Sequence, residues 1–259
     1  MNKQTAENLM KITKESYQKI ALNFSATRNF SWAEIDRAIE KYLRSGVQIL
    51  DLGCGNGRLL KSLEKLDSFS YLGLDNCSAF INKAQGMQEI EKPKIEKLRK
   101  KIKFIQGDIL DLKKINNHTF DVIFMMASLN HIPSQELREK LLLDISRILK
   151  PGGFLIMTNW NLWQISAKKS VWHYFLSSSR KRGSQCSWRF PIRSGMTMRD
   201  IITLWQNRSP LYYHAFTLKE LKKLLRMSGF KVLENYYVKQ GQKKYWWNGN
   251  NILTVGQKI

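Results

Sequence analysis

Three acids stand where successive apolar runs end: Asp51 after Val47-Gln48-Ile49-Leu50, Asp75 after Tyr71-Leu72-Gly73-Leu74, and Asp108 just past Ile102-Lys103-Phe104-Ile105-Gln106-Gly107. A carboxylate has two oxygens and can take two hydroxyl donors at once. Asp51 is followed by Gly53-Cys54-Gly55-Asn56-Gly57, and glycines at the carboxyl end of a strand let the backbone approach a ligand closely. Asp75 lies 20 residues beyond Gly55, where a nucleoside-binding unit uses an acid at the end of its second strand to accept both ribose hydroxyls. Asp108 is placed to accept from an adenine amino group, and Ile109 to cover the ring. A turn whose glycines serve geometry alone, and a chance acid at a strand end, are the alternatives. The glycine spacing differs from the G-x-G-x-x-G that cradles a dinucleotide pyrophosphate.

The elements that must hold these acids together follow from the apolar spacing. Residues 47–52 read as a parallel strand covered on both faces. Further strands are expected at 71–75, 102–109, 120–126, 154–158, 230–237 and 251–256, with a short helix over 58–65. Ser134 starts a helix through Leu137, Leu141, Leu142, Ile145 and Leu149 that Lys150-Pro151-Gly152-Gly153 ends. Thr217-Leu218-Lys219-Glu220 is a capping box that opens a helix through Leu221, Leu224 and Leu225. The alternation predicts right-handed crossovers and a doubly wound α/β sheet, with the carboxyl ends of the strands lining one crevice. Ahead of it, residues 5–22 have a loose helical spacing and a second helix begins at Trp32, capped by Ser31, so residues 1–45 form a helical cap. No internal repeat or boundary stands out, and 1–259 reads as a single domain.

With 43% hydrophobic residues the chain can furnish a sizeable core. Its 43 Lys and Arg against 21 Asp and Glu leave a formal charge of +22, which points to a polyanionic partner; a lysine-rich proteome is the alternative. Location separates the two. From Trp160 to Arg199 there is no acid, while Lys168, Lys169, Arg180, Lys181, Arg182, Arg189 and Arg193 are interleaved with Trp163, Trp172, Tyr174, Trp188 and Phe190. Basic groups neutralise phosphates and aromatic faces stack unpaired bases, so 160–210 reads as an insert for single-stranded or loop RNA. A basic loop with its aromatics packed on the core is the other reading. Residues 91–103, also basic, read as a solvated helix face, and Lys243-Lys244-Tyr245-Trp246-Trp247 as a second basic and aromatic tip. The three cysteines are an odd number without metal-type spacing, so a reducing, cytoplasmic setting and no metal are expected. Neither an export signal nor a membrane span is evident, and no membrane or DNA partner is expected.

Taken together, Asp51 to Gly57, Asp75, Gly107-Asp108-Ile109, Phe120-Asp121-Val122-Ile123 and Leu149-Lys150-Pro151-Gly152-Gly153 make the sequence resemble the class I S-adenosylmethionine-dependent methyltransferases over most of its length. The resemblance implies a Rossmann-like sheet of seven strands with the last antiparallel, and S-adenosyl-L-methionine as cofactor. It places the cofactor's methionine near the glycine turn, its ribose at Asp75 and its adenine near Asp108 and Ile109. Cys54, Asn56, Asn76, Met125, Tyr17 and Trp32 join the expected cofactor contacts. A narrower likeness is carried by Tyr17-Gln18-Lys19-Ile20-Ala21, Phe24-Ser25-Ala26-Thr27-Arg28, Trp32, Asn130-His131 and Tyr212-Tyr213-His214-Ala215-Phe216. These residues look like the tRNA wobble-uridine carboxymethyl methyltransferases, which esterify the carboxylate of 5-carboxymethyluridine in the anticodon loop. That likeness implies tRNA as partner, with Tyr212 and His214 on the substrate side. Similar eukaryotic enzymes work with a small zinc-containing activator subunit that adds a strand to the sheet. Asn130-His131 stands where that family usually has paired histidines, and the insert from Trp160 to Pro210 departs from its pattern.

Methyl transfer from a sulfonium is an in-line displacement, for which the protein has to align nucleophile, methyl and sulfur and exclude water. A carboxylate nucleophile is already an anion at neutral pH and needs no strong base. Asn130 and His131 are therefore expected at the mouth between cofactor and substrate as orienting groups, with Tyr17 and Arg28 closing over the cofactor or holding the substrate carboxylate. A satisfied structural histidine at His131, and a plain surface charge at Arg28, stay open. So do two other functions: a small-molecule methyltransferase with an incidentally basic surface, and a non-catalytic RNA-binding protein of the same fold.

Overall fold

The computed structural model describes residues 1–27, 32–87, 101–163, 196–197, 199–205 and 209–259. Two helices come first, α1 (Lys3–Ala26), whose N-cap Asn2 accepts from the Thr5 amide, and α2 (Ala33–Tyr42). Strand β1 (Val47–Leu52) leads through the glycine turn into α3 (Leu59–Leu63), followed by β2 (Phe69–Asp75), α4 (Ser78–Met87), β3 (Ile102–Gln106) and β4 (Phe120–Met126). A single 3-10 turn over Leu129–His131 precedes α5 (Gln135–Ile148), capped by the Ser134 hydroxyl on the Leu137 amide, and β5 (Leu149–Trp160). Then come β6 (Asp200–Trp205), β7 (Ser209–His214), α6 (Leu218–Met227), β8 (Phe230–Lys239), β9 (Gln242–Lys244) and β10 (Asn251–Lys258).

The main sheet runs β3-β2-β1-β4-β5-β10-β8-β9, with β1 to β5 parallel and β10 antiparallel to both its neighbours. The doubly wound sheet is as the alternation predicts, and the antiparallel last strand as the family resemblance implies. There are two additions: β9, a three-residue strand at the edge, and a separate β6–β7 hairpin. The hairpin begins inside the stretch read as an insert, and its strands, Asp200-Ile201-Ile202-Thr203-Leu204-Trp205 and Ser209-Pro210-Leu211-Tyr212-Tyr213-His214, pair apolar neighbours instead of alternating them, so no period of two shows. Strand β5 also begins at Leu149 rather than Phe154, because Leu149 pairs with Phe120 before a shift of register lets Phe154 pair with Val122.

Alternation along the strands divides the core into two layers. On β4, Val122 and Phe124 pack with Ile35, Ile39 and Leu60 from α2 and α3, whereas Ile123 and Met125 pack with Leu141, Leu142 and Ile145 of α5. Helix α6 joins the second layer through Leu221, Leu224 and Leu225, a spacing that puts all three on one face. Each such leucine contributes about 1.5–3 kcal/mol by leaving water. None of the described helices is long and apolar enough to cross a membrane.

Candidate active site

At the carboxyl ends of the parallel strands the chain encloses a cavity of about 580 Å³. Its floor is the glycine turn. Gly53 and Gly55 have φ of 76° and 55°, the left-handed region where side chains are strained. A methyl group on Gly53 would lie 2.2 Å from the Ser128 hydroxyl, so the close approach of β1 to the loop after β4 requires glycine. A methyl on Gly55 would meet no protein atom within 4 Å, which makes that backbone an open cradle in the cavity wall. Asp75 holds the turn: its Oδ2 accepts from the Gly55 amide and its Oδ1 from the Cys77 amide, both at 2.9 Å. Burial pushes this carboxyl up, and the amide donors oppose that.

Helix α1 lies across the cavity and lines it with Met10, Lys11, Thr13, Lys14 and Tyr17, one face of the helix at three- and four-residue spacing. Four hydrogen bonds hold it there. The Thr13 hydroxyl accepts from the Tyr212 amide, Gln18 Oε1 accepts from the Ala79 amide and the Ser78 hydroxyl of α4, and Tyr17 meets His131 at 2.8 Å. The roles at His131 follow from its partners. Its Nδ1 is 2.8 Å from the Tyr212 carbonyl oxygen, which can only accept, so Nδ1 carries the proton. Nε2 therefore accepts from the Tyr17 hydroxyl. Burial lowers the imidazole to about 4 against the pull of the Tyr212 carbonyl, and the ring is neutral at neutral pH.

That depressed value links stability to acidity. Unfolded, the ring takes a proton near pH 6.5; folded, it does so only near pH 4, so its contribution is complete above 6.5 and lost as pH falls through about 4. The contribution is at most about 3 kcal/mol. Thermal melts should show His131→Gln closing the gap to wild type as pH drops across that window. A constant gap from pH 7 to 4 would contradict the assignment.

The expected site residues fall into four groups. Tyr17, Gly53, Gly55, Asp75, Asn76, Asp108, Ile109 and His131 line the cavity. Asp51, Cys54 and Trp32 line a hollow of about 20 Å³ on the other side of Gly53, where Arg58 stacks 3.7 Å from the Trp32 ring. Asp51 Oδ2 accepts from the Tyr71 hydroxyl at 2.7 Å, while Oδ1 is buried without a hydrogen-bond partner. Burial raises this carboxyl to about 7. Asn56, Met125 and Asn130 are buried in the protein. Asn130 donates to the His214 carbonyl and accepts from the Trp160 amide, tying β7 to β5, and Met126 rather than Met125 reaches the cavity. Tyr212 and His214 are buried too, in a polar network: Tyr212 donates to Asp200 at 2.5 Å, and His214 lies between Asp200 and Glu220, at 3.2 and 2.7 Å. Hydrogen bonds from His214, Thr197 and Tyr212 outweigh burial and hold the Asp200 carboxyl well below the usual range. Arg28, Lys168, Lys169, Arg180, Lys181, Arg182, Trp188, Arg189 and Arg193 lie outside the described residues.

Sequence reasoning missed Met10, Lys11, Thr13 and Lys14, together with Phe24, Phe80 and Trp160 in the cavity wall. Their helical phase relative to Tyr17 was the available signal for the first four.

Residues 43–229 match the family described as methyltransferase domain, and the chain belongs to it. It is an S-adenosylmethionine-dependent methyltransferase. A protein of Encephalitozoon cuniculi named as a methyltransferase is 29% identical over 226 residues, 85% of this chain and 87% of that one. The tRNA (carboxymethyluridine(34)-5-O)-methyltransferase of Arabidopsis thaliana is 31% identical over 61% of this chain, and the sterol 24-C-methyltransferase of Aspergillus fumigatus 30% over 46%. The matches span 35% and 29% of those two enzymes. Among solved structures, a Methanosarcina mazei methyltransferase superposes with a TM-score of 0.65 at 22% identity, covering 86% of this chain and 97% of the other. A Haloferax volcanii methyltransferase, solved in complex with the Trm112 methyltransferase activator, gives 0.64 at 16%, covering 95% and 96%. These two likenesses speak for the fold.

The residues present fit S-adenosylmethionine. The Gly55 cradle leaves room against the backbone, and each Asp75 oxygen, using one lone pair on an amide, keeps capacity for a ribose hydroxyl. Asp108 Oδ1 accepts from the Leu110 amide and exposes the carboxylate at the cavity rim.

Proposed function

We propose that the chain methylates tRNA, forming a methyl ester on the carboxylate of a carboxymethyl group at the wobble uridine. When bound, the cofactor supplies an electrophilic methyl on a sulfonium. The protein's own residues have to bind, align and exclude water. The observation that carries this reading is the pair Lys11 and Lys14 on the cavity face of α1, opposite a neutral His131 whose two ring nitrogens are both engaged. Two cations at the entrance suit an anionic acceptor, and a carboxylate needs no base to become a nucleophile. An uncharged sterol has no use for them. The charge of +22 suits a polyphosphate partner, and the Arabidopsis and mouse relatives carry the carboxymethyluridine activity in their names.

In this reading Tyr17 and His131 orient the acceptor, and the basic residues of 160–210 hold the RNA. The chain also works with a small activator subunit, a reading supported by the Haloferax neighbour, which was solved with the Trm112 methyltransferase activator. Strand β3 forms one edge of the sheet among the described residues, with Ile105 exposed there to receive an added strand. The test is transfer of labelled methyl from S-adenosylmethionine to tRNA, with and without the activator. Base-labile label in tRNA that declines as salt rises is expected. Label in a sterol or another small acceptor and none in tRNA would sink the proposal.

A further inference from the structure

The turn between β9 and β10 carries Tyr245, Trp246 and Trp247, which are 66%, 45% and 45% exposed. A large aromatic side chain removes on the order of 200 Å² from water when it packs in a core. Here the chain spends hydrogen bonds on keeping them out. The Asn248 side chain accepts from the Tyr245 amide, the Gly249 amide donates to the Tyr245 carbonyl, and Asn161 Nδ2 donates to the carbonyls of both Trp246 and Gly249 at 2.7 and 2.8 Å. The rings are ordered among themselves: Tyr245 and Trp247 are stacked at 4.6 Å with planes 2° apart, and Trp246 meets Trp247 edge-on. Such a platform is set before any ligand arrives.

The chain around it is of one sign, although Glu34 of α2 accepts from the Asn251 side chain at 3.5 Å just beyond the tip. From Asn235 to Ile259 there is no acid, and Lys239, Lys243 and Lys244 flank the rings, Lys243 over the ring of Tyr236. Its position is specific as well. Asn161, which anchors the turn, follows Trp160 at the carboxyl end of β5, and Trp160 lines the cavity and pairs with Asn251 just beyond the tip. The platform therefore stands at the end of the sheet that carries the cavity.

We infer that the Tyr245–Trp247 tip is a stacking platform for the unpaired bases of a single-stranded or looped RNA, with Lys239, Lys243 and Lys244 on its phosphates. Stacking tolerates any base, and lysine is a point-charge partner for phosphate, so the surface grips an RNA loop without choosing its sequence. The inference rests on the RNA-directed reading above and adds a second anchor to it, apart from the basic insert.

The test measures binding of the full chain to a fluorescent anticodon stem-loop and to an RNA duplex of equal length, with calorimetry of S-adenosylmethionine binding as the control for folding. Wild type is expected to prefer the stem-loop. Tyr245→Ala/Trp247→Ala should bind it about tenfold more weakly or worse, from two lost stacking faces. Tyr245→Phe/Trp247→Phe should stay close to wild type, with cofactor binding the same in all three. Stem-loop binding by wild type that the alanine pair leaves unchanged, or that both pairs lose equally, overturns the platform and leaves the RNA reading standing. Wild type that binds no RNA overturns both. Wild type that binds only vesicles of phosphatidylcholine and phosphatidylserine makes the tip a membrane-interface anchor instead.

Discussion

Asp75→Ala is expected to weaken S-adenosylmethionine binding at least about a hundredfold, measured by calorimetry. Two losses combine. The side chain takes the Gly55 and Cys77 amides on opposite oxygens, so its removal unties Gly55, although the Gly53 and Cys54 amides stay on the Leu74 carbonyl. It also removes the charged acceptor for two ribose hydroxyls, and hydrogen bonds to a charged group are worth about 1.5–3 kcal/mol each. Asp75→Asn keeps one carbonyl oxygen and should fall between alanine and wild type. Affinity within threefold of wild type in the alanine variant would remove the ribose assignment.

Gly53→Ala is expected to cost on the order of 3 kcal/mol of stability in urea denaturation, because left-handed strain adds to overpacking. The added methyl would stand 2.2 Å from the Ser128 oxygen and 2.9 Å from its Cβ, and rotating the hydroxyl relieves only the first. Gly55→Ala is the instructive contrast. It meets no neighbour, so only strain of roughly 1–2 kcal/mol applies, and its methyl occupies cradle space that a ligand needs. Stability should therefore separate the two variants strongly, while both lose cofactor affinity. Equal destabilisation would mean that contact with Ser128 does not set the geometry of the turn.

The frame of the protein was legible because its signals are local. Strand β4 has the bounds its apolar run predicts, and Ser134 and Thr217 cap the helices they were expected to start. Asp75 was legible for the same reason, since it closes β2 and is placed by that strand alone; β3 ends at Gln106, short of the expected 109, and Asp108 follows in the loop. What escaped depends on phase and on partners distant in sequence. Asn130 and His131 are adjacent, yet successive residues of a 3-10 turn point different ways, one into the β5–β7 junction and one into the cavity. Met125 and Met126 differ by one residue on a strand, and that step exchanges core for cavity wall. Tyr212 and His214 have the chemistry of contact residues, but the β6–β7 hairpin supplies Asp200 and α6 supplies Glu220 to satisfy them inside. Lys11 and Lys14 look like any surface lysines until α1 is laid across the crevice.

In the proposed function an RNA-borne carboxylate enters the cavity beneath α1. The deciding experiment incubates the chain, with and without a small activator subunit, with S-adenosylmethionine and two synthetic anticodon stem-loops, identical except that one carries 5-carboxymethyluridine and the other uridine at the wobble position. Mass spectrometry of the digested nucleosides should show one added methyl on the carboxymethylated base alone, removed by mild alkali as an ester is. A methyl on both loops, or an alkali-stable methyl on either, would contradict the account.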